Sequence, residues 1–337
     1  MDSRSVTVSS SSRPPAGGSR GVLEAAFAAM QHGAAATLAV VMETEGSTYV
    51  RPGALALFGG GAQVGWLSGG CLEPEIAARA EVVARDGRIE WMDVDTRDDE
   101  DLLAGSALGC RGRLHIALLP LPSLMGWDAF IAAWRNGEGR LRLTVSADGS
   151  VESEIGGSMR RWQVAVTASA AGATTHHVEI AAPPTVLVLG AGPETPMLLP
   201  LLRSLGWMTT LVERRPRWRL LAAAADVAVE QMPESALRSF AQRAFDAALV
   251  MHHNFELDRE ALAALAASDI AFIGLLGPVR RREDLFRMLS ADERVALQPR
   301  LHSPIGLKLG GHGPEAIALS IAAQLQTLQQ QPYRQVP

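Results

Sequence analysis

Apolar residues recur at helical spacing from Gly21 to Gln31, where Val22, Leu23, Ala26, Phe27 and Met30 share one stripe, so the chain is predicted to start with an amphipathic helix. Residues 36–42 are a continuous apolar run of strand length, and a polar loop is expected from Glu43 to Gly53. Residues 54–58 and 62–67 flank Gly59-Gly60-Gly61, whose glycines supply the positive φ of a tight turn, so the segment reads as a β-hairpin. A helix is predicted from about Pro74 to Arg85, since proline suits a first helical turn. Residues 89–94 and 112–119 alternate like strands around an acidic stretch, Asp95 to Asp101, that reads as a solvated loop. A helix at Leu124 to Trp134 and strands near 140–146, 161–167 and 174–180 complete an α+β half.

The texture changes after Ala181-Ala182-Pro183-Pro184, where two prolines stiffen the chain and cannot join a ladder. Residues 185–190, 208–213, 226–230, 246–253 and 270–277 are apolar runs separated by helix-length segments, the signature of βαβ units around a parallel sheet buried on both faces. A last amphipathic helix is expected from Pro314 to about Leu328. The expected organisation is a disordered tail over 1–20, an N-terminal α+β domain over 21–182 and a C-terminal α/β domain over 185–328.

A length of 337 residues agrees with two domains, and 47% hydrophobic against 20% charged residues makes the chain globular. A net charge of -5 and 5% aromatics argue against a nucleic-acid partner. Two cysteines, Cys71 and Cys110, make neither a disulfide framework nor a four-ligand zinc site, and their number suits a reducing cytosol. The Ser-, Pro-, Gly- and Arg-rich N-terminus has no apolar core of a signal peptide, and no run of apolar residues is long enough to span a membrane. A cytoplasmic protein without membrane contact is expected.

Five segments carry candidate chemistry. Strand 185–189 runs into Gly190-Ala191-Gly192 and then a helix, an arrangement whose N–H groups and dipole favour anions. The next strand ends at Glu213, placed to accept from a ribose hydroxyl, although Thr195 replaces a third glycine and Arg214-Arg215 could instead favour a phosphate. NAD(P), another nucleotide, or nothing at all remain open for this loop. Gly46-Ser47-Thr48 and Arg51 offer hydroxyls, loop N–H groups and a guanidinium for a phosphate or a hydrogen-bonding heterocycle, or form a polar surface turn. Ser68-Gly69-Gly70-Cys71-Leu72-Glu73 combines glycines that admit a ligand to the backbone with a thiol at or just before a helix N-terminus, where the dipole favours thiolate. Glu73 is placed to cap that helix or, less favourably, to raise the thiol pKa by repulsion. Cys110 sits in a similar glycine setting with Arg111 beside it, and a buried, inert thiol is the alternative for both cysteines. His252 and His253 end a parallel strand at the edge where ligands bind, and because neighbours point to opposite faces, His253 is the one expected to face a site. No G-x-S-x-G elbow, Walker loop or H-E-x-x-H pair is present.

Taken together, these blocks resemble the XdhC/CoxI family: Gly46-Ser47-Thr48, Arg51-Pro52-Gly53-Ala54, Ser68 to Glu73, Leu108-Gly109-Cys110, Val188 to Gly192, Ile273 to Gly277, Pro304 to Leu307 and Pro314 to Ala318, in the family's order over residues 21–326. The resemblance implies an α/β protein with a C-terminal Rossmann-like parallel sheet and an N-terminal α+β domain. It also implies a non-catalytic accessory protein that binds the molybdenum cofactor, as molybdopterin or its dinucleotide form. Such a protein protects the cofactor, supports its sulfuration by a cysteine desulfurase, and inserts it into an apo molybdenum hydroxylase of xanthine dehydrogenase or aldehyde oxidoreductase type. Dimers are usual in the family. Carried over residue by residue, the cofactor site would comprise Ser47, Thr48, Arg51, Gly69, Gly70, Cys71, Glu73 and Cys110, with Cys71 a possible contact to molybdenum because soft thiolates suit such metals. Gly190, Gly192, Glu213 and His253 would serve the Rossmann half. Tyr49-Val50, Arg111, His252, Asn254 and Gly311-His312-Gly313 depart from the family's pattern. Two other readings stand beside this one: an NAD(P)-dependent oxidoreductase with His253 as acid/base, and a docking module without a small-molecule ligand.

Overall fold

The computed structural model describes residues 14–95, 111–167, 174–241 and 244–329, and it divides into two compact units at Pro183/Pro184. In the first unit, α1 (Gly18–Gln31), β1 (Thr37–Gly46), β2 (Leu55–Gly59), β3 (Ala62–Val64), α2 (Glu73–Asp86), β4 (Glu90–Asp95) and β5 (Gly112–Pro120) build a five-stranded antiparallel sheet of order β3-β2-β1-β5-β4. The apolar run in β1 is continuous because both faces of the sheet are covered. Leu38, Val40 and Met42 join the core that contains α1, while Ala39 and Val41 turn to Ile76, Ala80 and Val83 of α2. Then α3 (Asp128–Arg135), β6 (Leu141–Ser146), β7 (Ser150–Ile155), β8 (Ser158–Gln163) and β9 (Thr175–Ile180) follow, the four strands forming a second antiparallel sheet of order β8-β7-β6-β9 over the α1 side of that core.

Several boundaries differ from the sequence expectation, each for a visible reason. The tail expected to run to residue 20 gives way to helix at Gly18, and Arg20 is buried there with a 2.8 Å ion pair to Glu24. The strand expected to end at residue 42 continues to Gly46, because its polar end is still paired with β5 although no longer covered. The helix expected at Leu124 starts at Asp128, after a 3-10 turn at Leu121–Ser123 and Gly126 at φ 81°. The strand expected at 161–167 lies at Ser158–Gln163, closed on β7 by Gly156-Gly157 at φ 55° and 82°, which is the two-residue hairpin turn that needs positive φ at both positions. Beyond Asp95, the expected acidic loop falls outside the described residues.

The second unit carries β10 (Thr185–Leu189), α4 (Thr195–Ser204), β11 (Met208–Val212), β12 (Val227–Val229), α5 (Pro233–Ser239), β13 (Ala247–Val250), α6 (Phe255–Ala266), β14 (Phe272–Leu275), α7 (Val279–Arg287), α8 (Ala291–Leu297), β15 (Leu301–His302) and α9 (Pro314–Thr327). Its six strands are all parallel in the order β12-β11-β10-β13-β14-β15, as the alternation of apolar runs and helix-length segments predicts. Val186 and Val188 face α4 and α9, and Leu187 and Leu189 face α6 and α8, so the central strand β10 is covered on both faces. The segment after β11 is a 3-10 helix, Pro216–Ala224, with no buried residue. Among the described residues, no helix is long and apolar enough to cross a membrane.

Candidate functional site

In the first unit, two of the sequence-predicted loops meet. The paired ends of β1 and β5 place Gly46 opposite Gly112, and the Ser47 N–H donates to the Arg111 carbonyl at 2.9 Å. Gly112 is required by close approach: a Cβ there would lie 2.6 Å from both the Ser47 carbonyl oxygen and Thr48 Cγ2. Gly112→Ala is therefore expected to push the Ser47-Thr48 segment outward and to cost about 1–3 kcal/mol, read as a fall in thermal midpoint. The Thr48 hydroxyl donates to the Val50 carbonyl at 2.7 Å. Arg51 is exposed, on the turn Arg51-Pro52-Gly53-Ala54, closed by the Ala54 N–H donating to the Arg51 carbonyl at 3.0 Å with Gly53 at φ 88°.

The second loop is organised by Glu73, the first residue of α2. Its buried carboxylate accepts the N–H of Leu67 at 3.0 Å and of Ser68 at 2.8 Å, and the Ser68 hydroxyl as well. Ser68 Oγ in turn accepts the N–H groups of Gly70 and Leu72, both at 3.1 Å, with Cys71 Sγ 3.6 Å away. Burial by itself would raise the Glu73 pKa, but the Ser68 hydroxyl and the N–H groups of Ser68, Leu67 and Glu73 outweigh it and hold the carboxyl below its ordinary value. Glu73 thus faces inward and sets the loop, instead of offering its charge to a ligand. Gly70 needs its positive φ of 105°, and a Cβ on Gly69 would meet nothing within 4 Å, so that backbone is open to approach. Among the described residues, no partner takes the N–H of Gly69 or of Cys71. The Cys71 side chain is exposed, two positions before α2.

Ser47, Thr48, Ser68 and Cys71 line one small cleft open to solvent. Tyr49, Leu67, Leu72, Val94, Gly112 and Leu114 complete its wall. Tyr49 and Trp66 are exposed at 62% and 60%, large aromatic surfaces on the two loops that carry the cleft. The sequence motifs mark the polar members and Leu72; Val94 of β4 and Leu114 of β5, which also form the apolar wall, carry no motif. Cys110 lies outside the described residues.

Gly190, Gly192, Glu213 and His253 belong to the second unit. His252 is buried and His253 is half exposed, the opposite facing expected of neighbours beyond a strand end. The His253 ring Nε2 lies 3.2 Å from Glu194 Oε2, and its backbone φ of 55° makes it the one described non-glycine residue in the left-handed region. His252 Nδ1 lies 3.1 Å from Asp258 Oδ1, and Arg281 Nη2 donates to Asp258 Oδ2 at 2.6 Å. Glu194, Asp258 and Arg281 escape motif reading because their partners are 23 or 59 residues away, or on a helix face with no pattern of its own. Among the described residues, no group of three or more His, Cys, Asp or Glu side chains is arranged to hold a metal ion.

Comparison with known proteins matches both units. Residues 29–95 match a model of the XdhC and CoxI family, and residues 186–325 match a model of the XdhC Rossmann domain. A Bacillus subtilis protein described as a probable subunit of xanthine dehydrogenase is 27% identical over 318 residues, 86% of this chain and 92% of that protein. An uncharacterised Escherichia coli protein, YqeB, is 39% identical over 72 residues, 20% of this chain and 13% of that protein. A crystal structure described as a xanthine dehydrogenase from Bacillus halodurans superposes with a TM-score of 0.72 at 26% identity, covering 91% of this chain and 95% of that one.

Proposed function

Because the chain belongs to the XdhC and CoxI family, we propose that it is a non-catalytic accessory protein for a molybdenum hydroxylase of xanthine dehydrogenase or aldehyde oxidoreductase type. Its cargo is the molybdenum cofactor, which it holds in the N-terminal cleft, shields while a cysteine desulfurase supplies the terminal sulfur, and passes to the apoenzyme. The same reading takes the protein to be a cytoplasmic homodimer. The observation that carries it is the convergence of Ser47, Thr48 and Cys71 on one cleft, from two loops that both lie within the family match.

The residues present fit such a cargo. A pyranopterin dithiolene combines a phosphate, a flat hydrogen-bonding ring and a soft metal. The N–H groups of Gly69 and Cys71 can donate to the anion, and the open face of Gly69 lets it approach. Ser47 and the exposed Tyr49 offer hydrogen bonding and a stacking face to the ring. Cys71 offers the soft donor. Glu73 acts only by keeping the loop in shape, through Ser68 and the Leu67 amide.

The test is retention. Purified protein is incubated with released molybdenum cofactor, freed of excess, and its pterin is oxidised and quantified by fluorescence. Near-stoichiometric retention is expected, reduced several-fold in Cys71→Ser with an unchanged thermal midpoint. Full retention by Cys71→Ser removes the thiol from the site, and absence of retention by the native chain overturns the reading.

A further inference from the structure

We infer that the glycine loop of the C-terminal unit is closed by the chain's own groups and does not hold a dinucleotide. The strand order reverses between β10 and β13, and in an open parallel sheet the crevice at that point, beyond the carboxyl ends of the strands, is where a dinucleotide lies. Here each element of such a site is occupied by a neighbour.

The ribose position is taken first. A carboxylate has about four acceptor positions, and Glu213 receives four donors: the N–H of Ala191 at 2.7 Å, the N–H of Arg215 at 2.7 Å, and Arg215 Nε and Nη2 at 2.9 and 2.6 Å. The same guanidinium donates from Nη1 to the His252 carbonyl and from Nη2 to the Ala191 carbonyl, both at 2.7 Å. Arg215 thereby ties the loop after β10 to the segment after β13, across the crevice itself. A ribose would have to displace a buried, charge-assisted network to reach Glu213.

The diphosphate position is taken as well. Of the loop N–H groups, Ala191's goes to Glu213, Gly192's goes to Thr195 Oγ1 at 2.9 Å, and Pro193 has none. At Gly192 the space beside the backbone is filled by Glu194 Oε2 and His253 Nε2, which a Cβ would approach to 2.7 and 2.8 Å. A buried carboxylate at the start of α4 uses the favourable end of the helix dipole for itself and repels a second anion. Gly190 is likewise spent on packing, since a Cβ there would lie 2.4 Å from His252 Cγ. The glycines that look like a nucleotide loop admit two histidines and a glutamate instead.

The experiment titrates the full-length chain with NADH and NADPH, following tryptophan-excited nicotinamide emission and heat release. No saturable binding up to about 1 mM is expected, and a Kd below that for either nucleotide overturns the inference. Amide exchange tests the closure directly. In the free protein the Ala191 amide should be protected, and Glu213→Gln should speed its exchange about tenfold or more, because a charge-assisted acceptor becomes a neutral one. An Ala191 amide that is unprotected, or whose exchange Glu213→Gln leaves unchanged, overturns the closure by Glu213.

Discussion

Asp258→Ala is expected to destabilise the C-terminal unit by about 3–5 kcal/mol, the range for breaking a buried ion pair by removing one partner. Asp258 is fully buried on α6, where its Oδ1 receives the His252 N–H at 3.1 Å and its Oδ2 receives Arg281 Nη2. Without it, the Arg281 guanidinium keeps, among the described residues, the face of Phe255, 4.3 Å from the ring centroid, and its buried Nε has no hydrogen-bond partner among them. Asp258→Asn should fall between alanine and the native residue, since an amide still accepts one hydrogen bond but neutralises nothing. Burial pushes the Asp258 pKa up, but the bonds and charges of His252 and Arg281 outweigh burial and leave it below the usual value of 3.8. A group depressed in the folded state is protonated more readily when unfolded. Its contribution is therefore complete above pH 3.8 and is lost as pH falls below that through the folded-state value. Urea melts of the native chain and Asp258→Asn across this range check it: the two midpoints should converge as pH falls, and parallel curves would remove the titration from Asp258.

The second large effect is expected at Glu73→Ala, a loss of about 2–3 kcal/mol in the N-terminal unit from leaving the Leu67 and Ser68 donors without their acceptor. Its consequence reaches the cleft, because Ser68 Oγ holds the Gly70 and Leu72 amides and lies beside Cys71. Thiol modification of Cys71 should change rate in Glu73→Ala, and pterin retention should fall together with the thermal midpoint. That joint loss distinguishes Glu73 from Cys71, whose replacement should lower retention alone. The depressed pKa of Glu73 gives the same sign of pH dependence as Asp258: its stabilisation is full above pH 4.5 and wanes below it.

The two units differ in how far their sequence reveals them. In the C-terminal unit every central strand is covered on both faces, so apolar runs and strands coincide, and the parallel sheet follows from their alternation with helix-length segments. In the N-terminal unit coverage and pairing part company. Glu43, Thr44 and Glu45 are polar and exposed or half-buried yet still paired with β5, and β7 alternates Val151, Ser153 and Ile155 inward with a serine where a hydrophobe would announce the strand. Ser153 is buried because its hydroxyl accepts the Trp127 Nε1–H at 2.7 Å, a pairing across 26 residues that no local pattern carries.

By itself, the sequence determined the division at Pro183/Pro184, the parallel C-terminal sheet, the family and the loops of Ser47-Thr48 and Ser68 to Cys71, because each is written in contiguous residues whose backbone demands are local. Only the tertiary structure decided what the charged residues in those motifs do. Glu73 and Glu213 occupy positions a motif assigns to a ligand, yet each carboxylate is consumed by N–H and guanidinium donors that folding brings within 3.0 Å. The reason is physical: a glycine's conformational need is a property of its own backbone, whereas a carboxylate's role depends on which donors reach it first, and those come from elsewhere in the chain.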